Sequence, residues 1–234
     1  MNDFLLKNYS LLTHSVEAIA ALTGILLFKR YKNTSAKYFI YYLIVVSICD
    51  FLGSYTKFIE NNGFFSFLEG TRFVRNYWWY TLFWKVLAIV FFTFYYHKIL
   101  RKNKFKRIIK YSGIAFYLFS VVYIIFNIDD YFNSSLPLIS ILGAFVIFLC
   151  SGLYFLEILL SNKILVFYKS LNFYISGTIF IWWLIVTPLV FFENYNNISD
   201  WEFVFLKWQI KLFANLAMYL TFLFALIWCR PQND

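Results

Sequence analysis

Charge and chain-breaking residues are what this sequence has little of. Only 14% of its 234 residues are Asp, Glu, Lys or Arg, and it holds eight glycines, three prolines, three cysteines and two histidines. So few charges exclude a disordered chain and an ordinary soluble domain, in which roughly a quarter of residues are charged. The scarcity of glycine and proline excludes collagen-like repeats. It also argues against an outer-membrane barrel, whose strands alternate apolar and polar residues over about ten positions between turns. Cys49, Cys150 and Cys229 fall far apart inside apolar stretches. An odd, dispersed set makes neither a disulfide framework nor a zinc site, so they read as small packing residues. Two histidines are too few to surround a metal, which argues against a seven-helix zinc hydrolase. No Gly-x-Ser-x-Gly, His-Glu-x-x-His or phosphate-cradling glycine loop is present. The expectation is a protein without enzymatic activity, metal or cofactor.

What is abundant is apolar surface: 62% of residues are hydrophobic and 25% aromatic, with a mean hydropathy of +0.65. These residues run continuously over stretches such as 86–96 and 175–192. Continuous runs suit helices, which satisfy their own backbone groups in lipid. At about 20 residues per crossing, seven spans are predicted, near 11–28, 38–57, 77–97, 109–127, 137–160, 171–192 and 203–229. The fold class expected is therefore all-α: a single seven-helix transmembrane domain over 1–234, with connections too short for a soluble domain. No basic cluster or small-residue cleavage site accompanies the first apolar run, which is expected to be retained, and no lipid anchor is signalled.

Lysine and arginine set the expected orientation. Lys29, Arg30, Lys32 and Lys37 follow span one. Lys98, Arg101, Lys102, Lys104, Lys106, Arg107 and Lys110 follow span three, Lys163 and Lys169 follow span five, and Arg230 ends the chain. The opposite face holds only Lys7, Lys57, Arg72, Arg75 and Lys207. The bias places the amino end outside and the carboxyl end in the cytoplasm of an inner-membrane protein. Most of the net charge of +9 is thus an orientation signal, and nucleic acid is not an expected partner. The lysines border helices, where they also favour anionic headgroups. The outer connections carry Glu60, Glu69, Asp129, Asp130, Glu193, Asp200 and Glu202 beside Trp78, Trp79, Trp201 and Trp208. The run Tyr77-Trp78-Trp79-Tyr80 reads as an interfacial aromatic belt.

Ionisable residues inside spans point to function, because hydrocarbon penalises lone charges. Glu17 lies in span one, Asp50 in span two, Lys85 in span three and Lys211 in span seven. At a rise of about 1.5 Å per residue all four fall in one layer of the outer half. His14, Glu17, Ala21 and Gly24 form one stripe at helical spacing, as do Ser47, Asp50 and Ser54, or Lys211, Asn215 and Met218. Each stripe mixes polar and small residues, the composition of helix–helix contacts in lipid. His14, Glu17, Asp50, Lys85, Lys211 and Asn215 are therefore the candidate site. Two readings follow. Glu17 with Lys85 and Asp50 with Lys211, or the crossed pairs, are ion pairs that fix the helices; or the layer binds a small polar ligand or exchanges protons. Glu157, near the inner end of span five, is expected to snorkel or meet a loop lysine. Pro188 is expected to kink span six. A retinal site is disfavoured, since Lys211 lies in the outer third of its span and Lys85 stands where a counter-ion acid would be needed.

The acid in span one, the run 42–55 with Asp50, the pair Asn61-Asn62 and the run Leu153-Tyr154-Phe155-Leu156-Glu157 resemble small seven-helix inner-membrane proteins of AT-rich bacteria. Lys85 departs from that pattern, where an acid is expected. The resemblance implies the fold and imports no activity. The reading reached is a sensor or receptor-like protein with a charged outer-half pocket. Its alternatives are a small-solute or proton-coupled transporter and a structural subunit of a membrane complex. The partners called for are the bilayer, a small polar ligand, and a cytoplasmic or membrane protein.

Overall fold

The computed structural model of the chain describes the backbone of residues 2–59, 63–161, 166–193 and 201–231. Side chains are described for 8–59, 63–161, 166–191 and 204–231. Glu60, Asn61, Asn62, Lys163 and Asp200 lie outside the described residues, as do the side chains of Lys7, Glu193, Trp201 and Glu202. No strand occurs among the described residues.

The helices are α1 (Asn2–Tyr31), α2 (Ala36–Gly53, extended by a 3-10 turn Ser54–Phe58), α3 (Tyr77–Ile99), α4 (Asn103–Phe126), the short α5 (Ile128–Asn133), α6 (Pro137–Leu159), α7 (Leu171–Glu193) and α8 (Trp201–Trp228). All except α5 are long and apolar enough to cross a bilayer. The chain is a multi-pass membrane protein. Helix α4 begins at Asn103, so Lys104, Lys106 and Arg107 belong to its first turns rather than to a loop. Pro137 opens α6, where its missing N–H costs nothing. Pro188 lies inside α7, which continues past it to Glu193.

Side chains sort as lipid demands. On α1, Glu17, Ala21 and Gly24 are buried, while Leu22, Ile25 and Leu26 point outward, Leu26 at 81% exposure. Helix α1 packs between α2 and α8, and α7 joins α8 to α6. Helix α3 packs on α4 and α6 and also touches α2. Small residues set the closest approaches. A Cβ on Gly24 would lie 3.1 Å from Ile40, and one on Gly143 of α6 would overlap the Ile89 side chain of α3. Between them the core is aromatic, with Phe39 of α2 edge-on to Phe222 of α8 at 4.9 Å and Tyr42 stacked on Phe91 at 4.3 Å. The three cysteines are buried and free, as small packing residues should be.

The connection between α2 and α3 is tied down by polar contacts. Tyr55 donates to the carbonyls of Phe73 (2.7 Å) and Arg75 (3.1 Å), and Arg72 pairs with Asp129 at 3.5 Å. Gly70 turns the chain at φ 74°, a left-handed conformation natural to glycine. The belt expected at Tyr77-Trp78-Trp79-Tyr80 needs correcting in part. Trp78 and Trp79 are half-buried, and their indole N–H groups donate inward, to Tyr55 Oη (3.1 Å) and the Cys49 carbonyl (2.8 Å). Gly53 makes room for Trp79, which a Cβ there would approach to 2.9 Å.

Candidate functional site

Glu17 and Asp50 come together because α1 and α2 are packed neighbours whose polar stripes face each other. Glu17 is 2% exposed and Asp50 7%. Their carboxyl groups are in contact, and Tyr219 of α8, 3% exposed, places its hydroxyl beside Glu17. Neither Glu17 oxygen receives a well-aligned hydrogen bond. Asp50 Oδ1 accepts from the Trp84 indole at 2.6 Å. Indole N–H is a donor only, so the direction of that bond is fixed.

Trp84 reaches Asp50 because α3 is wound as a π-helix over Thr81–Leu87. The wider turn shifts the facing residue, and such stretches recur at functional sites. Within this stretch Trp84 is the residue that bonds Asp50.

His14 lies one turn outward from Glu17 on α1. Its Nδ1 is 2.6 Å from the Ser10 carbonyl, which can only accept, so Nδ1 carries a proton. Its Nε2 sits 3.2 Å from Ser54 Oγ and 3.3 Å from the Asp50 carbonyl. Ser10 Oγ in turn accepts from the exposed Lys57 Nζ at 2.8 Å. A polar track therefore leads from the end of α2 through Ser10, His14 and Ser54 to the backbone of Asp50.

On the far side of the acids, Trp84 and Tyr219 border a cavity of about 30 Å³, closed by Tyr42, Ile179, Trp182 and Met218 among others. About 10–15 Å³ suffices for one water, so the space takes a water or two and no organic ligand. Trp182 donates from its indole to Asn215 Oδ1 at 2.8 Å. Asn215 thus holds Trp182 of the cavity wall rather than the acids themselves.

The expected pairs of Glu17 with Lys85 and Asp50 with Lys211 are corrected by this geometry. The acids face each other, no well-aligned hydrogen bond reaches Glu17 among the described residues, and the groups acting on Asp50 are Glu17, Trp84 and His14. Lys85 and Lys211 are half-buried on α3 and α8 and have contacts of their own. Of the six residues chosen from sequence, His14, Glu17 and Asp50 assemble directly.

Trp84, Tyr219 and Tyr42 escaped the sequence reading, which selected for charge. Tyr219 was within reach of it, one helical turn beyond Asn215 on the same stripe. Trp84 was not, since nothing local announces a π-helix. Glu157 also differs from expectation. Its two oxygens accept from the backbone N–H groups of Arg101 (2.8 Å) and Lys102 (3.0 Å) and so cap the start of α4.

Among the described residues no group of three His, Cys, Asp or Glu side chains is placed to hold a metal ion. No family model, curated protein or solved structure matches the chain.

Proposed function

We propose that this is a non-enzymatic inner-membrane sensor whose ligand is the proton, held by the pair Glu17–Asp50. The observation that carries the reading is two buried carboxyl groups in contact with each other. Two such groups cannot both ionise at this range, so the pair keeps one proton between its members. A helix-locking device would join an acid to a base, whereas two acids facing each other oppose packing unless protonated. The small cavity supports the choice of ligand, since it admits water but no solute. Basic-residue bias supports an amino end outside and a carboxyl end in the cytoplasm. Two of the features that resemble small seven-helix inner-membrane proteins of AT-rich bacteria, Glu17 and Asp50, sit at this site.

The groups facing the pair are Tyr9 and His14 on α1, Tyr42 and Cys49 on α2, Tyr80 and Trp84 on α3, and Tyr219 on α8. His14 is the group placed to relay a proton from the aqueous side. With Nδ1 bound to Ser10, gaining a proton at Nε2 turns an acceptor for Ser54 into a donor to the Asp50 carbonyl.

The test is a pH titration in lipid nanodiscs of the fluorescence of Trp84, isolated as the difference between wild type and Trp84→Phe. A transition is expected in wild type that disappears in Asp50→Asn and shifts in His14→Gln. A signal flat with pH in wild type would overturn the proposal. In vesicles carrying an internal pH dye the sensor moves no protons. Sustained acidification would transfer the same pair to a proton-coupled transporter. The tight core favours a second reading as an assembly subunit, which predicts that Asp50→Asn leaves every pH response untouched.

A further inference from the structure

Away from the acid pair, α3 and α4 leave a groove of about 440 Å³ on the outside of the bundle. Its floor is Thr93 and Gly113, where a Cβ on the glycine would come within 2.7 Å of Thr93 Oγ1. The Thr93 hydroxyl is used internally, donating to the Val90 carbonyl at 2.8 Å, so the floor offers no polar group. The walls are the exposed side chains of Phe94, Ile114, Tyr117 and Leu118. The groove is thus an apolar slot between two packed helices.

One end of the slot is cationic. His97 and Lys110 line it, and Lys98 and Lys106 stand around His97. Lys98 Nζ lies 5.6 Å from the centre of the Phe94 ring, holding its charge over the slot wall. Nothing on these helices balances the charge, since no Asp or Glu occurs between Glu69 and Asp129. Glu157, which approaches the same end, spends both oxygens on the backbone of Arg101 and Lys102. Among the described residues no carboxylate pairs with Lys98, Lys106 or Lys110.

We infer that this slot is a binding site for an anionic glycerophospholipid, with one acyl chain along Thr93, Gly113 and Ile114 and the phosphate among Lys98, Lys106 and Lys110. An apolar trough that ends among uncompensated cations matches that ligand in polarity, tail to trough and phosphate to lysines. A zwitterionic lipid fills the trough but brings its own cation to the lysines. A soluble phosphate matches the lysines but leaves the trough empty. Basic pockets between transmembrane helices are the recurrent way proteins select anionic headgroups.

The experiment is native mass spectrometry of the full chain in mild detergent, with phosphatidylglycerol, phosphatidylcholine or glycerol phosphate added. Phosphatidylglycerol should be retained in preference to the other two. Lys98→Gln with Lys110→Gln should weaken retention by about five-fold per lysine. Lys29→Gln with Lys32→Gln, removing equal charge from the end of α1, should leave it within about two-fold of wild type. Ile114→Trp, which fills the slot from an exposed position without altering charge, should abolish the preference. Equal losses in the two double-lysine variants would reduce the effect to diffuse surface attraction and overturn the site. Equal retention of phosphatidylcholine, or a dimer that forms through this face and excludes lipid, would overturn it as well.

Discussion

A carboxyl group with nothing to bond to is expensive inside a bilayer, and Glu17 has both oxygens in that position. A charge there, without partner or water, costs several kcal/mol even after relaxation. A proton shared with Asp50 removes most of that cost, and the Trp84 indole takes up part of the remainder at 2.6 Å. Trp84→Phe leaves Asp50 Oδ1 without its donor and trims the core. It should lower stability by about 1–3 kcal/mol. Unfolding in mixed detergent micelles measures this. In a double-mutant cycle with Asp50→Ala the two losses should fall short of additive, because the orphaned acceptor is itself removed. Charge alone led to Glu17 and Asp50 from the sequence, through the rule that lipid tolerates no idle ion. The same rule passes over neutral donors, which is why Trp84 and Tyr219 stayed hidden.

At the scale of the helices, hydropathy and stripe spacing reveal where each span lies and which face turns inward. They do not reveal the order of helices around the bundle. The stripe His14, Glu17, Ala21, Gly24 has its buried side right in every member but His14, which is half-buried. The partner of Glu17 is Asp50 because α1 packs along α2 as well as α8. The winding of α3 adds to this, since Thr81–Leu87 adopts the π form and Trp84 within it donates to Asp50. Glu157 shows a second limit. A carboxylate near basic residues reads as a salt bridge, yet its bonds run to main-chain N–H groups that no sequence pattern displays. Glu157→Gln keeps the shape and one acceptor and should cost about 1–2 kcal/mol. Hydrogen exchange reads the effect locally: the amides of Arg101 and Lys102 should lose protection while those in the middle of α6 keep theirs. Unchanged protection at both amides would contradict the cap.

For the whole molecule, the reading depends on which end of the bundle meets the outside. Ser10, His14 and Lys57 lie at the end opposite the lysines that follow α1 and α3. The orientation proposed from basic-residue bias puts that end outside, and in that orientation the acid pair responds to the pH outside the cell. Native Cys49, Cys150 and Cys229 are buried, so single cysteines added at exposed positions report side without interference. Phe67→Cys should react with an impermeant maleimide on intact cells, and Lys104→Cys only after permeabilisation. The reverse pattern would make the pair a monitor of internal pH.

The most direct test of the central claim is infrared spectroscopy of the protein in nanodiscs at neutral pH. Here wild type is compared with Glu17→Gln and Asp50→Asn. A shared proton predicts a carboxylic-acid carbonyl band in wild type that is lost or displaced in both variants. A wild-type spectrum carrying only ionised carboxylate bands, identical to the variants in the carboxylic-acid region, would contradict it.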